Sequence, residues 1–161
     1  KELESLKAAG QVSKIGASIY AEETPSSILE RFDIVQCQGN AFDSKYSSFL
    51  DQKYAVFLRS IFLQGLLLID LEELPIFLNK YKEIFIEWDK YCKKYRKSKL
   101  EMSLYNVQNK KLDGYLIGAS SMKEFEQIIF GINSITQIQD IPLFKYKSVN
   151  EYVIDPRRWN H

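Results

Sequence analysis

The sequence predicts an α/β fold in which four parallel strands alternate with helices. Four short apolar runs carry the strand signal, and the segments between them repeat apolar residues at three- and four-residue steps, as helices do. Strands that are continuous apolar runs between helices favour a parallel sheet covered by helices. The length of 161 residues and the hydrophobic content of 45% are typical of one compact domain over residues 1–161.

Prolines, glycines and helix-capping residues indicate where each predicted element begins and ends. The predicted strands are 14–19, 33–38, 54–60 and 114–118. The predicted helices are 2–9, 26–32, 72–96, 99–107 and 121–132, with a brief helix over 43–50. Pro75 fits the first turn of the longest helix, and Ser121 is expected to cap the last one. The residues of that last helix expected to face inward are Phe125, Ile128, Ile129 and Ile132. Residues 134–161 are predicted to be an irregular tail with a turn near 149–153.

Charge and composition exclude several classes of protein. Lys and Arg number 22 and Asp and Glu 21, so the net charge is +1, which predicts no nucleic-acid partner. The basic run 90–99 is interpreted as a solvated helix face. The longest apolar run, near 66–69, is far shorter than the ~20 residues of a membrane helix, and no signal peptide opens the chain. We therefore expect a cytoplasmic protein without a membrane partner.

The cysteines and the single histidine suggest no reactive centre. Cys37 and Cys92 are too few for a disulfide scaffold, and both are interpreted as small core residues in a reducing compartment. Without a neighbouring histidine, neither is expected to be a nucleophile. His161 is the last residue and is expected to have no role. No metal site is predicted.

Polar side chains follow all four predicted strands. In parallel sheets, ligands bind at the carboxyl ends of the strands. The polar residues at or just after those ends include Ser18, Gln36, Gln38, Asn40, Arg59, Ser60 and Ser120. The sequence therefore favours a ligand site at this edge, although strands that merely end in polar surface residues are an alternative explanation.

Four segments together resemble a known family. They are GQVSKIGASIY (10–20), FDIVQCQGNAFD (32–43), FLRSIFLQGLLL (57–68) and LIGASSMKEFEQI (116–128). In order and spacing they resemble the fifth to eighth strand segments of the aldo-keto reductases, which are (β/α)8 TIM barrels. The ending NEYVIDPRRW (150–159) is similar to the C-terminus of the branch found among bacterial surface-sugar biosynthesis genes. A complete barrel needs about 250 residues, so the resemblance implies the C-terminal half of one, beginning inside the barrel.

The resemblance implies a nicotinamide cofactor, NAD or NADP. Ser18 and Gln36 match residues that hydrogen-bond the carboxamide of the nicotinamide. Arg59 stands where many members place an aromatic ring against the nicotinamide. Ser60 and Gln64 match the loop that passes the pyrophosphate. One amide contact is expected to be lost, because Ile19 replaces an Asn of the family.

The last predicted strand and helix match the adenosine end of the cofactor site. Gly118 and Ser120 correspond to the loop that meets the adenosine phosphate at a helix N-terminus, where free N–H groups favour an anion. Glu124 stands where members that prefer NADP often use Arg, and a carboxylate there would repel a 2′-phosphate. Gln127 replaces a Glu of the family, and Ile128 replaces an Asn that contacts adenine.

The resemblance also implies what the chain lacks. The catalytic Asp, Tyr, Lys and His of the family lie on the first four strands, so no catalytic residue is expected here. We expect an NAD(P)-dependent oxidoreductase that reduces a carbonyl only when joined to the missing N-terminal half. The alternative is a non-catalytic half-barrel interaction or scaffold module, which the replacements at Ile19 and Ile128 favour.

Half a barrel also leaves an apolar inner face and two unpaired sheet edges. The expected cover is the N-terminal half or a second copy of the chain. Only 13 residues separate Asn40 from Tyr54. The corresponding barrel helix, the sixth, is therefore predicted to be trimmed and to leave part of the sheet exposed.

Overall fold

Four strands pair in parallel, in the order in which they occur along the chain. The computed structural model describes residues 2–20, 23–108 and 111–159. The strands are β1 (Gly16–Ser18), β2 (Ile34–Gln38), β3 (Ala55–Arg59) and β4 (Gly114–Tyr115). Helices and turns connect them, so the predicted α/β class with four parallel strands is confirmed. His161 lies outside the described residues.

The two edge strands are shorter than predicted. β1 pairs with β2 over three residues, and β4 pairs with β3 over two, whereas the central pair β2–β3 is in register over five. The N–H of Leu116 still donates to the carbonyl of Leu58 over 2.7 Å, although Leu116 lies outside β4. The central strands keep more of their predicted length because each has a neighbour on both sides.

One face of the sheet is buried under the helices. Side chains alternate along a strand, and Val35, Cys37, Val56 and Leu58 on that face are at most 2% exposed. They pack with residues of the connecting helices in one hydrophobic cluster. The prediction that Cys37 is a core residue is confirmed.

The opposite face is the inner face of the sheet. It carries Ser18 on β1, Ile34 and Gln36 on β2, and Phe57 and Arg59 on β3. These side chains are half-buried, except that of Ser18, which is exposed. Gln38, on the same face of β2, is buried against the C-terminal segment. Along β2 and β3 the polar residues stand nearer the carboxyl ends, so the inner face changes from apolar to polar along the strands.

The helices and turns alternate with the strands. The α-helices are α1 (Glu2–Ala8), α2 (Ser26–Leu29), α3 (Lys82–Lys94), α4 (Lys99–Val107), α5 (Met122–Ile135) and α6 (Glu151–Ile154). Short 3-10 helices cover Lys45–Phe49, Leu71–Glu73, Ile76–Tyr81 and Pro156–Arg158. The prediction for α4 is confirmed, and the helix predicted over 26–32 ends early, at Leu29. No helix among the described residues has the length and apolar content needed to cross a bilayer.

The single helix predicted over 72–96 is wrong. That stretch divides into two 3-10 helices and α3, with the first break at Leu74. The backbone of Leu74 is extended, at φ −62° and ψ 124°. The ring of Pro75 disfavours helical geometry in the preceding residue, and Pro75 offers no N–H of its own. Pro75 therefore separates two elements instead of lying within the first turn of one.

The prediction of a trimmed helix after β2 is confirmed. The connection to β3 contains only the five-residue 3-10 helix Lys45–Phe49. Its Tyr46 and Phe49 are buried and pack against the sheet in the same cluster as Cys37. The expected exposure of the sheet is wrong, because these two aromatic rings cover it where the helix is shortened.

Helix α5 is rotated relative to the prediction. Ser121 caps it as predicted, since its Oγ accepts a hydrogen bond from the N–H of Glu124 over 3.2 Å. The expected inward placement of Phe125 and Ile129 is wrong, because they are 52% and 42% exposed. A Cβ on Gly131 would lie 2.2 Å from a methyl carbon of Leu100, so the glycine face of α5 lies against α4.

A second hydrophobic cluster joins α3, the turns after β3 and the C-terminal segment. Trp88 lies at its centre, 2% exposed, and its Nε1 donates to the carbonyl of Leu67 over 2.9 Å. Cys92 is buried in the same cluster, as predicted. The tail predicted to be irregular contains α6, and Nε2 of Gln38 donates to the carbonyl of Ile154, which fixes the tail to the end of β2.

Candidate cofactor site

Ser18, Gln36 and Arg59 form a hydrogen-bonded chain on the inner face. The parallel register places Ser18 opposite Gln36 and carries both side chains to the same side of the sheet. The hydroxyl of Ser18 donates to Oε1 of Gln36 over 3.0 Å. Nε of Arg59 donates to Oγ of Ser18 over 3.2 Å. The structure therefore brings these three predicted residues together on three neighbouring strands, towards their carboxyl ends.

Arg59 extends this chain to the next turn. One terminal nitrogen donates to Oγ of Ser60 over 3.3 Å, and the other donates to the carbonyl of Ile19 over 3.2 Å. The guanidinium carbon lies 4.5 Å from the centre of the Tyr20 ring. The sequence did not single out Arg157, whose guanidinium carbon lies 3.4 Å from the centre of the same ring. Nothing in the spacing of the sequence relates Arg157, in the C-terminal segment, to the strands, so its position beside Tyr20 could not be predicted.

The segment after β3 is a series of tight turns. Ser60, Leu63 and Gln64 have φ values of 60°, 49° and 55°, in the left-handed region where residues other than glycine are uncommon, and Gly65 follows at 89°. The N–H of Leu63 donates to the carbonyl of Ser60 over 2.9 Å. These turns bury Leu63 completely and leave Gln64 exposed. Strained backbone of this kind is concentrated at binding sites.

A cleft of about 590 Å³ opens between these turns and α5. Five of the predicted cofactor residues line it, namely Ser60, Gln64, Gly118, Glu124 and Gln127. The other lining side chains are apolar and include Leu68, Leu100, Leu116 and Ile128. The hydrogen-bonded series of Gln36, Ser18 and Arg59 reaches the cleft through Ser60. A polar strip at the strand ends thus leads into a mainly apolar cleft.

Ser120 does not line the cleft but holds one of its walls. Its N–H and its Oγ both donate to Oε2 of Glu124, over 2.7 and 2.8 Å. The hydrogen bonds from the Ser120 backbone and side chain hold the pKa of Glu124 below its usual value. The backbone N–H of Ser120, which the resemblance assigns to an adenosine phosphate, is therefore already bonded to the Glu124 carboxylate. Among the described residues that line the cleft, Glu124 is the ionisable one.

Two replacements expected from the sequence have different surroundings. Ile19 is 7% exposed and belongs to the core cluster beneath the sheet. Its side chain therefore turns away from the inner face. Ile128 is 8% exposed but lines the cleft, where it presents an apolar surface.

A larger cleft, of about 940 Å³, lies between α3, α4 and α5. Its charged residues largely pair with one another. Lys99 lies 3.0 Å from a carboxylate oxygen of Asp70 and 3.4 Å from one of Asp89, and Lys93 lies 2.6 Å from Asp89. It contains none of the strand-end residues. Among the described residues, no group of three or more His, Cys, Asp and Glu side chains could hold a metal ion.

The architecture matches a known class of barrel. No family model matches the chain, and no curated protein sequence matches it either. Among solved structures, the chain is similar to the glycerol dehydrogenase AKR11B4 from Gluconobacter oxydans, with a TM-score of 0.52 and 14% sequence identity. The match covers 90% of this chain and 56% of that one. At this identity the likeness is one of fold.

The fold is therefore half of a (β/α)8 barrel. The four parallel strands form one continuous sheet in chain order. The chain spans little more than half the length of the dehydrogenase that it matches.

Proposed function

We propose that this chain is the C-terminal, cofactor-binding part of an aldo-keto-reductase-like oxidoreductase. The complete protein would reduce a carbonyl with hydride from NADH or NADPH, and this part is not catalytically complete by itself. The observation that carries the proposal is the hydrogen-bonded chain Gln36–Ser18–Arg59–Ser60, which leads from the strand ends into the cleft. A cytoplasmic location and the surface-sugar branch belong to the proposal and rest on the sequence.

Gln36 and Ser18 would hold the carboxamide of the nicotinamide. An amide side chain offers both a donor and an acceptor, and a hydroxyl can act as either. Ser18 is exposed and Gln36 half-buried, so a ligand can reach both. The nicotinamide cofactor supplies hydride, and the protein supplies its orientation and electrostatic surroundings. Ser60, Gln64, Gly118 and Gln127 would line the path of the rest of the dinucleotide.

Glu124 supports NAD rather than NADP as the cofactor. Its carboxylate stands on the cleft wall, and no Lys or Arg lines the described part of the cleft. A 2′-phosphate carries about two negative charges at neutral pH and would need a cation or free N–H groups. The Ser120 N–H, one candidate donor, is already bonded to Glu124. An adenosine without the 2′-phosphate would not be repelled by the Glu124 carboxylate.

The inner face of the sheet would be covered by further polypeptide. The accessible surface is 10,274 Å², whereas a compact protein of this mass exposes about 8,300 Å². Leu116, next to β4, is 45% exposed. We include in the proposal that four further βα units close the barrel, either from an N-terminal half or, for this chain alone, from a second copy.

A non-catalytic scaffold module is the second candidate. It is favoured by the core placement of Ile19 and by the apolar side chain of Ile128 in the cleft. Both remove polar contacts that the resemblance implies for a dinucleotide. If the protein is a scaffold module, the hydrogen bonds that join Gln36, Ser18, Arg59 and Ser60 have only a structural role.

Titration of the full chain with NADH, followed by cofactor fluorescence, tests the proposal. Saturable binding is expected, and Gln36→Ala should weaken it about fivefold or more, because the carboxamide loses a partner and Ser18 loses an acceptor. The matched control is Gln137→Ala, at an exposed position beyond the end of α5. Absence of binding by the folded chain would favour the scaffold module.

A further inference from the structure

Arg59 is a cation without a carboxylate partner among the described residues. Its three hydrogen bonds go to neutral oxygens, those of Ser18, Ser60 and Ile19. Two other arginines, Arg31 and Arg157, each form ion pairs with carboxylates. Arg31 pairs with Glu4 over 2.7 Å, and Arg157 pairs with both Asp155 and Glu23.

The charge of Arg59 acts on the inner face of the sheet. A guanidinium stays protonated at any physiological pH. Arg59 is half-buried, so solvent screens its charge less than that of a surface side chain. The neighbouring cation Arg157 pairs with Glu23 and with Asp155, and it shares Asp155 with Arg158. Arg59 therefore places a positive charge at the ends of β1 and β3 that no carboxylate among the described residues pairs with.

We propose that Arg59 makes this site select the reduced, neutral nicotinamide ring over the oxidised, cationic one. The inference rests on the proposed function, which places the carboxamide at Ser18 and Gln36. Because Nε of Arg59 lies 3.2 Å from Oγ of Ser18, a ring whose carboxamide bonds Ser18 would lie beside the guanidinium. Like charges at such distances repel each other, whereas a neutral ring can stack on the guanidinium plane.

The selection has a consequence for the reaction. In the proposed site, Arg59 would face a neutral ring when the cofactor is reduced and a positively charged ring when it is oxidised. It therefore favours release of the oxidised cofactor and weakens product inhibition by it. A tenfold preference for the reduced form would raise the midpoint potential of the bound two-electron couple by about 30 mV.

Dissociation constants for NADH and NAD⁺ test the inference, measured on the full chain by fluorescence and by calorimetry. We expect NADH to bind about tenfold more tightly than NAD⁺. Arg59→Gln keeps a donor for Ser18 but removes the charge, and it should bring the ratio of the two constants close to one. Arg59→Lys keeps the charge and should keep the preference. Lys147→Met, at an exposed position, controls for the change in net charge.

The outcomes separate this inference from the function on which it rests. Equal affinities for NADH and NAD⁺ in the unaltered chain would overturn the inference and leave the proposed function standing. So would a preference that persists in folded Arg59→Gln, as judged by circular dichroism. Failure of the unaltered, folded chain to bind either form would instead contradict the proposed function, and the inference would fall with it.

Discussion

A Cβ atom on Gly16 would lie 2.6 Å from the carbonyl oxygen of Ile34. The two residues are direct partners in the β1–β2 pair. Strand β1 therefore approaches β2 at a point where no side chain fits. Two residues further on, this pairing places Ser18 against Gln36, so the glycine supports the hydrogen bond between them.

Replacement of Gly16 is expected to separate these strands. Because the obstructing atom belongs to the backbone, Gly16→Ala should lower the free energy of unfolding by about 1–3 kcal/mol, measured by urea denaturation. Gly118→Ala is the control, since a Cβ there would meet no atom within 4 Å. Equal stability of the two variants would show that β1 can move away from β2 at no cost.

Glu124 should set the preference between the two nicotinamide cofactors. The unaltered chain is expected to bind NADH more tightly than NADPH, and Glu124→Gln should reduce that difference about fivefold, because a 2′-phosphate no longer meets a negative charge. Cofactor fluorescence titrations give both constants. Glu126→Gln serves as control, because Glu126 lines the larger cleft instead. A drop in preference with Glu126→Gln would indicate a general charge effect.

Acid should loosen the C-terminal segment through Asp155. Hydrogen bonds from Arg157 and Arg158 lower the pKa of this buried carboxyl to about 2 from its ordinary value of 3.8. A group whose pKa is lower in the folded state stabilises the fold above its unfolded pKa, and that stability disappears as the pH falls through the folded value. The contribution should thus be complete above about pH 4 and be lost towards pH 2.

We expect this contribution to be about 1–2 kcal/mol, because the partner Arg157 is 39% exposed and partly screened. The measurement is the free energy of unfolding of the unaltered chain and of Asp155→Asn at pH 7 and at pH 3. The difference between the two should shrink at the lower pH. Asp140→Asn, at an exposed position, should show no such change. A pH-independent difference would mean that packing, rather than charge, stabilises this segment.

The chain alone should self-associate through its open sheet. At micromolar concentration we expect sedimentation at twice the monomer mass or more, because the inner face and the edge next to Leu116 are uncovered. Leu116→Asp should weaken the association. Ile76→Asp should not, although Ile76 is 88% exposed, because it lies on a 3-10 helix away from the sheet. A pure monomer would show that the open sheet tolerates water.

The sequence predicted the elements whose boundaries are chemical signals. Ser98 and Glu101 form a capping box at the start of α4, and its bounds were predicted correctly. The central strands were predicted within a residue or two because their apolar runs are buried. The strand-end residues Ser18, Gln36 and Arg59 were brought together as expected, since parallel strands end at one edge.

The errors arose where tertiary packing decides. The apolar spacing of Phe125 and Ile129 is compatible with several rotations of α5, and the close approach of Gly131 to Leu100 selects one that exposes both. In the turns that begin at Ser60, residues other than glycine adopt the left-handed conformation, which their sequence does not predict. The pairing of Ser120 with Glu124 was also missed, because it depends on side-chain geometry within a short loop.

The hydrogen bond between Gln38 and Ile154 links helix α6 to the end of a central strand. Trimming from the carboxyl terminus would therefore act on the interior. Once a carboxypeptidase removes Ile154, the amide of Gln38, which is 8% exposed, loses one of its two acceptors. Digestion past that residue should therefore lower the stability of the fold and not merely shorten the chain.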